Sequence, residues 1–361
     1  MSLLDACYHK DIESVKEELD KGVDINKGDN NGYTALIMAI RNRPIACALE
    51  KQYEAKKQEQ IVSLLLEKGP DINARDNDGC TALMWASEKG NTEIMAMLLE
   101  KGADVNARNN KGNTALLLAT IWGFRDKKIV SLLLEKGADV NARNNKGNTA
   151  LMWASDYGPI EVVSLLLEKG ADVNARDNDD GNTALINASN LGQIDIVKLL
   201  LDKGADVNAK TNCGCTALIA AIKGAICFTE KASEFTEVAS TLLEKGVDVN
   251  AKSNEGETAL SEASWSGLIE FVSLLLEKGA DVNMKTENGK TALTMASSYE
   301  NEDIVTVIKK HIHDKLMEEV LKTTLIVKKG LRQKRDEFLV PYAQKEIIHL
   351  IASFFYIKTS A

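Results

Sequence analysis

Aromatic side chains are scarce in this 361-residue chain, and basic residues do not outnumber acidic ones. Phe, Trp and Tyr together make up 5% of the residues, while apolar residues as a whole reach an ordinary 44%. A single large core normally holds more aromatic volume, so the composition favours many small cores built from Leu, Val, Ala and Ile. The net charge is −9, whereas nucleic-acid binding needs a basic stripe that displaces counterions. We therefore expect no nucleic-acid partner.

Long apolar runs and clustered metal ligands are lacking as well. No run reaches the length that spans a bilayer, and the first ten residues do not resemble a secretory signal, so we expect no membrane insertion. The six cysteines are scattered, and the closest pair, Cys213 and Cys215, lacks metal-type spacing. Such thiols are typical of a reduced, cytoplasmic protein. His311 and His313 have no third ligand near them in the sequence, so we expect neither a metal nor a cofactor.

Internal repetition is what the chain has in abundance. The tripeptide Thr-Ala-Leu recurs with Thr at positions 34, 81, 114, 149, 183, 216, 258 and 291. A second block, rich in Leu and typified by residues 98–106, lies between the tripeptides, and residues 98–116 are identical to residues 133–151. Residues 3–26 have similar apolar spacing without the tripeptide. We therefore count nine units.

Each unit predicts two short helices. Thr81 is suited to cap the first helix, because its hydroxyl can accept from a free N–H of the first turn. Leu83 and Ala86 share one face of that helix, and Gly90 ends it. The Leu-rich block forms the apolar stripe of the second helix, which ends before Gly102. No unit can bury its stripe alone, so each must pack on its neighbours.

The period, the tripeptide and the Leu-rich block resemble the ankyrin repeat, of the kind found in intracellular bacteria and large viruses. The resemblance implies an all-α solenoid of about nine helix-turn-helix units with hairpin-like loops and a C-terminal helical segment. We expect an elongated, gently curved monomer with a capping repeat at 1–28, repeats two to nine at 29–314 and a C-terminal segment at 315–361. The family's Thr-Pro-Leu-His signature differs here, because Ala82 replaces proline and Met84 replaces histidine. This change predicts apolar packing where the family has a polar network.

The family binds partner proteins on its concave side, through the exposed face of the first helices and the loop tips. By helical spacing, that face holds the positions four, seven and eight residues after each Thr. All four tryptophans fall on these positions, and Trp and Tyr are enriched at interaction hot spots. The alternative is that the rings pack against neighbouring repeats. The candidate positions are Trp85, Glu88, Lys89, Leu118, Ile121, Trp122, Trp153, Asp156, Tyr157, Asn190, Leu191 and Trp265.

The loop tips carry two further patterns. Polar tip residues could contact a partner, and the candidates are Lys111, Asn113, Lys146 and Asn148. A column of basic residues also recurs once per unit, and its regular placement is equally consistent with offsetting neighbouring acids. Its first members are Arg75, Arg108, Arg143 and Arg176.

Three segments depart from the repeat. The insertions at 41–60 and 223–237 either shape a binding groove or are tolerated length variation, although the first predicts an early start of the second helix. Residues 315–361 either cap the last repeat or form a docking segment. Residues 337–361 loosely resemble an F-box, which would recruit a ubiquitin-ligase component.

The sequence thus predicts a scaffold for protein–protein interaction. The alternative from another class is a substrate adaptor, or a host-directed effector in the host cytoplasm, that recruits ubiquitin-ligase machinery through 337–361. Enzymatic activity is not expected, because we find no phosphate-binding loop and no nucleophile motif.

Overall fold

The computed structural model describes residues 1–42, 48–121 and 126–332. Within these ranges the chain forms eighteen α-helices and no β-strand, which confirms the all-α fold. The helices belong to two compact units, Met1–Asn212 and Cys213–Ala361.

The first unit contains six helix pairs. In each pair a short first helix is followed by a second helix, and neighbouring pairs pack first helix on first helix and second on second. The helices are α1 (Leu3–His9), α2 (Ile12–Asp20), α3 (Ala35–Arg41), α4 (Ala48–Glu67), α5 (Ala82–Lys89), α6 (Thr92–Glu100), α7 (Ala115–Ile121), α8 (Lys127–Glu135), α9 (Ala150–Tyr157), α10 (Ile160–Glu168), α11 (Ala184–Asn190) and α12 (Ile194–Asp202).

The second unit continues the same pairing within its described part. Its first two helices, of 11 and 13 residues, are joined by a 3-10 turn at Thr229–Lys231. The helices are α13 (Ala217–Cys227), α14 (Ala232–Glu244), α15 (Ala259–Trp265), α16 (Ile269–Glu277), α17 (Ala292–Ser298) and α18 (Glu302–Arg332).

Threonine caps start the first helices, as the sequence predicts. The Thr81 hydroxyl accepts from the Met84 N–H at 3.4 Å, and the same bond recurs in later units. Gly90 ends α5 in the left-handed conformation, with φ of 73°. Met84 is buried, in agreement with the apolar packing expected where the family carries histidine.

Hydrogen bonds link successive loops. The Asn73 side chain accepts from the Asp104 N–H at 2.8 Å, and an equivalent bond recurs from unit to unit. The basic column also serves this purpose, because Arg75 donates to the backbone carbonyl of Arg108 at 2.6 Å. Likewise, the Arg143 guanidinium donates to the backbone carbonyl of Arg176 at 2.6 Å. The basic column therefore links neighbouring loops instead of only offsetting acids.

The two insertions lengthen helices. The first one starts α4 early, as predicted, and the Gln58 side chain on α4 donates to the carbonyls of Ala39 at 2.7 Å and Ile40 at 2.9 Å. Residues 43–47 of this insertion lie outside the described residues. The second insertion extends α13 and α14, and Phe235 of α14 is fully buried.

The C-terminal segment begins inside a helix. Helix α18 runs without a break from Glu302 to Arg332, across the boundary expected at 314/315. The second helix of the ninth repeat is thus continued by the following residues, because they carry no glycine or proline until Gly330. Residues 337–361, which include the F-box-like pattern, lie outside the described residues.

Candidate functional site

The predicted binding face of the first helices is partly accessible to solvent. Trp85 and Trp153 are half-buried, and so are Glu88, Lys89, Ile121, Asp156 and Leu191, whereas Asn190 is exposed. Leu118 is 5% exposed, so the expectation of an accessible side chain is wrong there. The reason is that α7 packs against α5 on one side and α9 on the other. Trp122 lies outside the described residues, as does the side chain of Tyr157.

Trp85 is held by its own repeat and the preceding one. Its indole N–H donates to the Asp76 carboxylate at 2.8 Å. Its ring meets Tyr33 edge-on at 6.3 Å between centroids. The Arg41 guanidinium lies 5.6 Å from the ring centroid and the Lys89 ammonium 5.4 Å. This tryptophan therefore packs against a neighbouring repeat, the alternative that the sequence left open.

Trp153 occupies the same place in the fifth repeat but has a different polar environment. Asn144 stands where the third repeat has aspartate, and its Oδ1 accepts from the backbone N–H groups of Lys146 and Asn148 at 3.0 Å each. Its Nδ2 donates to the Asn113 side chain at 3.0 Å. Asn144 thus has no free acceptor to offer, and among the described residues the buried Nε1 of Trp153 has no hydrogen-bond partner.

This difference between the two repeats predicts unequal effects of two substitutions. We expect Asp76→Asn to lower the free energy of unfolding by about 1–3 kcal/mol, because it leaves the Trp85 N–H facing another donor. Asn144→Asp supplies the acceptor that Trp153 lacks, but it also removes the donor to Asn113, whose amide must turn so that its nitrogen donates instead. We therefore expect a smaller loss than for Asp76→Asn. Guanidinium denaturation of both variants measures the two changes. Equal losses would show that the indole N–H groups are satisfied in another way.

A groove opens beside Trp153, between the tips of two successive loops. The fifth loop, residues 144–148, precedes α9, and the sixth loop, residues 177–182, precedes α11. The cavity volume of the groove is about 350 Å³. Six residues of the sequence-predicted site line it, which brings loop-tip and helix candidates together: Lys146, Asn148, Trp153, Asp156, Asn190 and Leu191.

Three aspartates of the sixth loop complete the groove, and the sequence analysis missed them. Asp177, Asp179 and Asp180 line the same cavity. The sixth loop has one residue more than the fifth, since the Asp177 N–H bonds to the carbonyl five residues on, Asn182, at 3.0 Å. The extra Asp in this loop was the feature of the sequence that could have pointed to these residues. It adds negative charge at the groove, which Lys146 offsets by pairing with Asp179 at 3.1 Å.

The remaining predicted residues lie outside this groove. Lys111 is exposed, but Asn113 is 9% exposed because it receives the Asn144 side chain, so its predicted accessibility is wrong. Glu88 and Lys89 pair with each other at 3.0 Å beside Trp85. In the second unit, Trp265 is 38% exposed and meets the Tyr299 ring edge-on at 5.7 Å.

Comparison with known families agrees with the helix pairing. The family described as "Ankyrin repeats (3 copies)" matches in overlapping segments at residues 3–109, 47–144, 105–177, 175–230, 211–286 and 230–318. The chain belongs to the ankyrin-repeat family, whose repeats are generally protein–protein interaction modules. No curated protein matches the chain.

The described part of the chain offers neither a metal site nor a membrane-spanning helix. No group of three or more His, Cys, Asp or Glu side chains there is placed to hold a metal ion. None of the described helices combines the length and apolar character that a membrane span requires.

Proposed function

We propose that this protein is an interaction scaffold and that the groove beside Trp153 receives a basic side chain of a partner protein. The observation that carries the proposal is the composition of the groove wall. Four carboxylates line it, from Asp156, Asp177, Asp179 and Asp180, against the single ammonium of Lys146. A cationic side chain complements that charge.

The aromatic wall supports the same partner chemistry. Trp153 lines the groove with an indole ring that is half-buried and therefore fixed in place. A lysine or arginine side chain gains from lying over an aromatic face and from contacting carboxylates at the same time. The ion pair between Lys146 and Asp179 does not prevent a partner's cation from binding. Both side chains are more than half exposed, and such pairs contribute little to stability.

The other expectations of the sequence remain part of this proposal. We place the scaffold in the cytoplasm, on the evidence of its scattered thiols, and we expect it to be a monomer. The ubiquitin-ligase adaptor rests on residues 337–361, outside the described residues, so it stays a prediction.

The test uses the sixth loop, because its two tip aspartates are exposed. Random peptides displayed on phage are selected against the wild-type protein and then measured against Asp179→Lys/Asp180→Lys. We expect selected peptides to contain arginine or lysine and to bind the variant about tenfold more weakly or worse, since like charges then meet in the groove. Binding is measured by fluorescence anisotropy of the synthetic peptides.

A matched control carries the same change of charge elsewhere. Glu67→Lys/Glu100→Lys alters two exposed residues at the ends of α4 and α6, outside the groove lining. We expect this control to bind as the wild type does. Peptides that lack basic residues, or that lose affinity equally for both variants, would overturn the assignment of the groove.

A further inference from the structure

Two cysteine thiols meet at the tip of the seventh loop, in the second unit. The Sγ atoms of Cys213 and Cys215 are 3.4 Å apart. Cys213 is exposed, whereas Cys215 is 8% exposed. One thiol is therefore open to a reagent in solution, and the other lies behind it within reach of the first.

The backbone around the pair is fixed by its neighbours. Gly214, between the two cysteines, has φ of +81°, and a Cβ there would lie 2.8 Å from the backbone nitrogen of Asn254. The Asn254 N–H donates to the carbonyl of Cys213 at 2.9 Å. On the other side, Thr216 directly after Cys215 caps α13 by accepting from the Ile219 N–H at 3.4 Å. The two thiols are thus brought together by a turn whose shape the fold determines.

A lysine lies beside the inner thiol. The Lys223 Nζ is 3.9 Å from the Cys215 Sγ and 3.9 Å from a carboxylate oxygen of Glu257. Burial lowers the pKa of Lys223, but Glu262, Cys215 and Glu257 outweigh that effect and hold the pKa above its ordinary value. Lys223 therefore stays protonated, and a neighbouring cation favours the thiolate form of a cysteine.

We propose that Cys213 and Cys215 form a reversible disulfide with a small-molecule disulfide, such as oxidised glutathione, as the oxidant. The Cys213 thiolate attacks one sulfur of oxidised glutathione, the oxidant's S–S bond breaks, and one glutathione thiolate leaves and takes up a proton. The Cys215 thiolate then attacks the sulfur of Cys213 and releases the second glutathione. The two protein thiols have lost two electrons and two protons, and one oxidised glutathione has become two reduced ones.

The disulfide would be labile. It closes a ring across a single residue, and strained or exposed disulfides are more easily reduced than structural ones. A reducing cytoplasm keeps the pair open, as the sequence predicts for all the thiols, and an oxidising shift closes it. This inference does not depend on the proposed partner-binding groove, because its readout is the covalent state of the two sulfurs.

Intact-mass spectrometry of the folded full chain tests the proposal. The protein is equilibrated with graded ratios of oxidised to reduced glutathione, free thiols are trapped by alkylation, and the bridge is located by peptide mapping. We expect wild type to lose the mass of two hydrogen atoms, with the bridge between residues 213 and 215. Cys227→Ser, which removes another exposed thiol of the same unit, should behave as wild type.

Three variants separate the steps. We expect Cys215→Ser to stop at a stable glutathione adduct on Cys213, and Cys213→Ser to lose the rapid reaction altogether. Lys223→Gln should slow ring closure several-fold while leaving the first step unchanged. A wild-type protein that accumulates the adduct on Cys213 without closing the ring, or that reacts as fast when Cys213 is replaced, would overturn the proposal.

Discussion

Gly112→Ala is expected to lower the free energy of unfolding by about 2–5 kcal/mol. Gly112 lies at the tip of the fourth loop with φ of +75°, a region that costs a residue with a side chain about 1–2 kcal/mol. A Cβ there would also lie 2.4 Å from the Asn145 Oδ1 and 2.8 Å from the Asn145 backbone nitrogen. That nitrogen donates to the Lys111 carbonyl at 3.0 Å, so the methyl group would separate two loops that are hydrogen-bonded to each other.

Gly137→Ala is the matched control for this prediction. Gly137 follows α8 with φ of +88°, and a Cβ there would meet no described atom within 4 Å. The Gly137→Ala substitution should therefore cost only the backbone strain, about 1–2 kcal/mol. Denaturation midpoints compare the two variants, and hydrogen exchange of the Asn145 amide reports whether the loop contact opens locally. Equal losses would mean that the loops can separate without cost.

Phe235→Ala is expected to lower the free energy of unfolding by about 3–5 kcal/mol, the usual cost of removing a buried aromatic side chain. Phe235 lies on α14 and is fully buried at 0% exposure. Its ring stacks on that of Phe228 at 6.3 Å between centroids. A cavity the size of a phenyl ring remains after the substitution, because neighbouring helices collapse only in part.

Phe228→Ala measures what the stacking of the two rings contributes to stability, separately from the burial of Phe235. Phe228 is 38% exposed, so its removal should cost about 0.5–1.5 kcal/mol, which is the range of an aromatic pair. Thermal unfolding followed by circular dichroism measures both variants. The outcome also decides what the second insertion does, since a small loss for Phe235→Ala would mean that residues 223–237 are tolerated extra length and add nothing to the core.

The repeat made the fold predictable, but the state of individual side chains was harder to predict. Helical spacing assigned Trp85 and Trp153 the same position, and both are half-buried in their repeats. Their polar contacts differ because Asp76 and Asn144 precede them by nine residues, and only the carboxylate can accept from an indole. The sequence contained this difference, but its meaning depended on knowing that the loop residue and the ring touch.

The groove, too, could be predicted only in part from the sequence. Lys146, Trp153 and Asp156 were candidates from helical spacing and loop position. The aspartates opposite them belong to the next unit, and a period of about 33 residues separates each from its counterpart along the chain. Only the packing of one loop on the next brings them into one cavity.

The sequence by itself determined the class of fold, the capped first helices and the apolar stripe of each repeat, because these follow from spacing within a single unit. The tertiary structure decided which side chains of neighbouring units meet: that the arginine column bonds to carbonyls of the next loop, that Asn113 and Leu118 are buried, and that α18 continues past the last repeat. The physical reason is that a repeat determines its own helices through local hydrogen bonds and periodicity, whereas burial and charge at its surface depend on what the adjacent unit presents.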